Sequence, residues 1–122
     1  MTALATLIEI PGVTAAWRWQ AGSTVGTLQG PRLLETSGRI TTELAELGML
    51  YLETLGTFMF FQCSVLDHRL KREEFSPAQS IVTEMKDFTV MVTANRVAVT
   101  LDSSQRPDVW ELEQRMLEVE NG

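Results

Sequence analysis

The sequence predicts an α+β fold, a three-layer α/β/α sandwich with helices on both sides of an antiparallel sheet. Three observations predict it. The patterned segments run helix, two strands, long helix, a series of strands, then a final helix. The later strands are separated by breaks of only two residues, too short for anything but antiparallel neighbours. Several strands carry apolar residues on both faces, so each face needs a cover. With 122 residues, 44% of them apolar, the chain suits a single domain over residues 1–122 with one globular core.

Residues 2–10 predict a short helix, capped by Thr2, with Leu4, Leu7 and Ile8 as its apolar stripe and Pro11-Gly12 ending it. "VTAAWRWQ" alternates as a strand, with Val13, Ala15, Trp17 and Trp19 on one face. A turn at Gly22 leads into a weaker strand, "TVGTLQ". Gly30-Pro31 then opens a long predicted helix over 31–54, because proline suits a first helical turn. Leu33, Ile40, Leu44, Leu47, Tyr51 and Leu55 form its expected core stripe, and Glu35 and Arg39 an i,i+4 ion pair on the solvent side. Ala45, Gly48 and Leu52 make a second strip that suits either a close seam with another helix or packing against the sheet.

Gly56 is expected to end that helix. "TFMFFQCS", residues 57–64, then reads as an uncharged, apolar strand, followed by the polar loop "DHRLKREEFSP". "QSIVTEM", "FTVMVT" and "RVAVTLD" complete a meander, broken at Lys86-Asp87 and Ala94-Asn95. The C-terminal segment predicts a helix capped by Ser104, with Pro107 in its first turn and Asp108 and Glu111 complementing the dipole. Its buried stripe is Val109, Leu112, Met116 and Val119, with Trp110 and Leu117 beside it.

A net charge of −6 argues against nucleic-acid binding, which needs a basic surface, and against docking on anionic membranes. The apolar zone 44–66 contains Glu46, Glu53 and Gln62, which argues against a membrane span. The opening segment lacks the basic stretch of a signal peptide. A single cysteine, Cys63, points to a reducing compartment, and a cytoplasmic location is the expectation.

The element order, together with "LIEIPGVTAAWRWQAGSTVG", resembles the roadblock/LC7 superfamily. Leu7, Ile10, Pro11, Gly12, Val13 and Ala15 carry its first signature and Gly22 its turn. "EMKDFTVMVTANRVAVTLD" is similar to the closing meander of a bacterial subgroup of unassigned function. The resemblance spans nearly the whole chain. It implies a five-stranded sheet in the order 2-1-5-4-3, with the long helix on one face and the terminal helices on the other. The additional run Val97–Leu101 suits either a sixth strand or the tail of the fifth.

Chemistry is sparse. His68 is the sole histidine and Cys63 the sole cysteine, so no two-plus-two zinc set exists, and a triad built from sequence neighbours has the wrong geometry. No glycine-rich phosphate loop is present. No catalytic residue, metal or cofactor is expected, and the chain reads as a non-enzyme.

The resemblance implies a homodimeric interaction module, a platform for a protein partner such as a small GTPase. In such dimers third strands pair and long helices pack together. The expected interface is Phe58, Met59, Phe60, Phe61 and Gln62 on the strand, with Leu44, Gly48, Tyr51 and Leu52 on the helix. Arg69, Lys71 and Arg72, concentrated basic charge in an acidic chain, form a candidate docking loop for an acidic partner. The alternative is a small-molecule sensor using a cleft between helix and sheet, lined by Trp17, Trp19, Met59, Phe61 and Met91.

Overall fold

The computed structural model describes residues 3–22, 30–71 and 79–120. A 3-10 helix, Leu4–Glu9, leads into strands β1 (Val13–Gln20) and β2 (Arg32–Gly38). Helix α1 (Thr42–Leu70), strands β3 (Ser80–Glu84), β4 (Phe88–Thr93) and β5 (Val97–Asp102), and helix α2 (Val109–Leu117) follow. The five strands form one antiparallel sheet in the order β2-β1-β5-β4-β3, the order the resemblance implies. Val97–Asp102 is its fifth strand, inserted between β1 and β4, not an additional sixth.

Each sheet face feeds its own apolar cluster. Val97, Val99 and Leu101 point to one side and pack with Leu4 and Leu7 of the 3-10 helix and Leu112 and Met116 of α2. Ala98 points to the other, among Trp17, Trp19, Val90 and Val92, where Ala45, Met49 and Leu52 of α1 close the cluster. Trp17 and Trp19 share a face, as their spacing predicts. Val13 does not join them, because the β1–β5 register shifts between Val13 and Ala15 and turns Val13 to the opposite cluster.

The signature glycine has a clear physical reason. Gly12 holds φ +96°, its carbonyl accepts from Asp102 N–H at 2.8 Å, and a β-carbon there would stand 1.8 Å from the Gln105 carbonyl oxygen. The chain turns from the 3-10 helix into β1 through a space that admits only backbone.

Several expectations give way. The strand over 24–29, like the Thr2 cap, lies outside the described residues. The second strand is Arg32–Gly38, where a helix was expected. Gly38 has φ +89°, a left-handed conformation that stops a helix, and a β-carbon there would crowd the Thr14 carbonyl oxygen at 2.5 Å. Glu35 consequently pairs across the strands with Arg18, at 2.9 Å, and not along a helix with Arg39. The helix starts at Thr42 and is capped by Thr41, whose hydroxyl accepts from Leu44 N–H.

The largest correction concerns residues 57–64, which are not a strand. α1 runs unbroken through Gly56 for 29 residues. A single interior glycine costs a helix only about 1 kcal/mol, and in this stretch Thr57 alone is β-branched. α2 is capped by Asp108, whose carboxylate accepts from Trp110 and Glu111 N–H, and not by Ser104. Ser104 instead donates to Asp102, and its backbone N–H and hydroxyl hold that carboxyl below its ordinary pKa.

Candidate functional site

α1 presents two apolar stripes about 140° apart, at roughly 100° per residue. Ala45, Met49 and Leu52 face the sheet and are buried. Leu44, Leu47, Tyr51 and Phe58 form the other stripe, and each is more than half exposed. Of the expected core stripe Leu44, Leu47 and Tyr51 are therefore uncovered, while Leu33 and Ile40, which lie before the helix, do pack against the core; the small-residue strip is the one against the sheet. Gly48 explains the choice. A β-carbon there would lie 3.3 Å from the Trp17 ring, so the indole fills the volume that a side chain on α1 would need.

At 1.5 Å per residue α1 is about 43 Å long, whereas strands of six to eight residues span about 20–27 Å. The helix overruns the sheet, and beyond Leu52 none of its described side chains is buried. Phe58, Met59 and Leu66 are exposed there. On the same side of the sheet Met85 and Phe88 are exposed around the β3–β4 turn; β3 is an edge strand paired, among the described residues, only with β4, and its Val82, opposite Met91, is exposed on the other face.

Of the expected interface residues, Leu44, Tyr51, Phe58 and Met59 are exposed on α1 and Gln62 is half-buried. The side chains of Phe60 and Phe61 lie outside the described residues. Leu52 is 3% exposed and belongs to the core, so it is removed from the expected interface. The expected docking loop divides. Arg69 is in the last turn of α1, Lys71 follows the helix with φ 55°, and Arg72 lies outside the described residues. His68 and Arg69 complement the negative end of the helix dipole. Of the cleft liners expected, Trp17 is in place, whereas Met91 packs on the opposite sheet face.

Between α1 and the sheet is a cleft of about 370 Å³. Trp17, Val90, Thr14 and Thr100 line it from the strands; Leu44, Gly48, Tyr51 and Leu52 line it from α1. Arg39, Ile40, Met85 and Phe88 complete it. It opens next to the exposed stripe, with which it shares Leu44 and Tyr51.

A partly buried polar clamp, which the sequence does not advertise, fixes α1 over the sheet. Glu53 accepts from Trp19 Nε1–H at 2.8 Å and pairs with Arg96 through two bonds of 2.9 and 3.2 Å. Arg96, at φ 61° in the β4–β5 turn, reaches it from 43 residues away in sequence. Partial burial pushes the Glu53 carboxyl up, but hydrogen bonds from Arg96 and Trp19 and the arginine's charge together bring it below its ordinary value. A depressed folded pKa contributes stability above the unfolded value and loses it as pH falls through the folded one. Glu53→Leu should therefore destabilise the protein by about 1–3 kcal/mol at neutral pH. The gap to the unaltered protein should narrow below pH 4.5, the ordinary value for the group. Thermal melts across pH 3–7 check this.

Comparison with protein families, with curated proteins and with solved structures found no match. No helix among the described residues is long and apolar enough to cross a membrane.

Proposed function

We propose that this chain is a non-enzymatic interaction module of the roadblock/LC7 type, working as a homodimer that presents a platform to a protein partner, a small GTPase being one such. The observation that carries the reading is the uncovered stripe Leu44, Leu47, Tyr51 and Phe58 on a helix that outruns its own sheet. Contiguous apolar surface of this kind marks an interaction site. The succession of helix, strand pair, long helix, meander and helix, with sheet order 2-1-5-4-3, supports the family assignment. In that reading the molecule is a three-layer sandwich, with α1 on one face and the 3-10 helix and α2 on the other.

The pairing strand is β3, Ser80–Glu84, and not residues 57–64. Its free edge offers unpaired backbone groups to an antiparallel copy, and the α1 stripes of two protomers then bury one another. Burial at about 25 cal/mol per Å² drives the association. Arg69 and Lys71 at the end of α1 give an acidic partner a place to dock. Light scattering behind size exclusion at micromolar concentration should return twice the 13.7 kDa chain mass. A monomer at that concentration refutes the homodimer.

A further inference from the structure

The cleft between α1 and the sheet is lined by one buried donor that the fold leaves unpaired and by one exposed cation. The first is Trp17. It is 2% exposed, and its Nε1–H has no hydrogen-bond partner. Leaving a buried donor unpaired costs about 1–3 kcal/mol, and the neighbouring Trp19 shows the normal solution, an indole N–H bonded to Glu53. The indole lies against Gly48: a β-carbon there would be 3.3 Å from the ring and 4.0 Å from Nε1.

The second is Arg39. Glu35 is committed to Arg18, and Arg39 forms no ion pair among the described residues. Among the described residues Arg39 is the one charged side chain that lines the cleft, and no carboxylate does. In a chain of net charge −6, this apolar cleft is locally positive.

We propose that the cleft binds a small carboxylic acid with an apolar body. Its hydrocarbon part lies against Leu44, Tyr51, Phe88 and Val90, its charge is countered by Arg39, and a carboxylate oxygen accepts from Trp17 Nε1–H. The volume of about 370 Å³ falls within the range of roughly 300–1,000 Å³ usual for small-molecule sites. Nε1 is closed to water as the side chains stand, so entry requires cleft side chains to move. Leu44 and Tyr51, each more than half exposed in the single chain, move on the fast timescale of surface rotamers until a second copy covers them.

The test uses the full chain with ¹⁵N-labelled indoles and decanoate as the probe, with decanol as its neutral counterpart. The three tryptophans provide internal controls, because Trp19 Nε1–H is already bonded and Trp110 is solvent-exposed. Decanoate should move the Trp17 indole N–H resonance saturably at submillimolar concentration while Trp19 and Trp110 stay nearly still. Decanol and the Arg39→Gln variant should each bind about tenfold more weakly or worse, the loss of a charge-assisted contact, with the thermal midpoint of Arg39→Gln unchanged. Trp17→Phe, read by calorimetry, should weaken decanoate binding and keep the fold. No saturable Trp17 shift up to about 1 mM overturns the site. Equal binding of decanol, or full affinity in Arg39→Gln, overturns the acid. A Trp17 resonance that follows protein concentration instead of decanoate means that a second copy fills the cleft, and also overturns it. The mass from light scattering is read separately, so failure here leaves the dimer standing.

Discussion

Replacing Gly12 with alanine is expected to destabilise the protein by about 3–5 kcal/mol, the upper range for one substitution. Two costs combine. The residue sits at φ +96°, which L side chains disfavour by roughly 1–2 kcal/mol. The new methyl would also stand 1.8 Å from the Gln105 carbonyl oxygen, a backbone atom that cannot swing aside. Relieving that clash pulls apart the Gly12–Asp102 hydrogen bond, which fixes the entry to β1 against the end of β5. Gly30→Ala is the control. Nothing lies within 4 Å of its would-be β-carbon, and its effect should stay within about 0.5 kcal/mol. Urea unfolding of the two variants decides the matter, and a Gly12→Ala loss under 1 kcal/mol would contradict the packing described.

A double substitution on the exposed stripe, Leu47→Glu with Phe58→Glu, should convert the proposed dimer to a monomer and weaken association by at least about a hundredfold. Central apolar anchors commonly account for 2 kcal/mol or more each, and two facing carboxylates add repulsion. Both side chains are 58% exposed, so the monomer's own fold should survive, and far-ultraviolet dichroism should be unchanged. Trp110→Glu, on the exposed side of α2, should leave the mass untouched. Sedimentation velocity distinguishes the three proteins. A double variant that remains dimeric would remove α1 from the interface.

The strands at 13–20, 88–93 and 97–102 are legible in the sequence because alternation and β-branched residues agree there with two-residue breaks. Residues 31–38 mislead. Pro31 suits a helix start, and Glu35 and Arg39 have helical spacing, but the deciding residue is Gly38, whose left-handed conformation is set by its closeness to Thr14. Residues 57–64 mislead for a different reason. A short, wholly apolar run has no period, so strand and helix look alike. The orientation of α1 is the subtlest failure. Periodicity reveals both stripes but not which one meets the sheet. That choice lies in volume: Trp17 and Trp19 stand tall on the sheet, and the helix answers with Ala45 and Gly48. The Glu53–Arg96–Trp19 clamp is invisible in sequence because its members are brought together only by the finished sheet.

The position of β5 has a consequence for how the molecule comes into being. It is the last strand made, yet it lies between β1 and β4, with Ala16 opposite Val99. β1 must therefore wait for a neighbour more than eighty residues downstream. At about 5–20 residues per second, synthesis leaves a gap of roughly 4–16 s. For that interval the nascent chain carries Trp17, Trp19 and the apolar helix without the centre of their sheet. Long-range pairings of this kind also slow folding. That apolar surface is covered only when the final strand slots into place and joins the two halves.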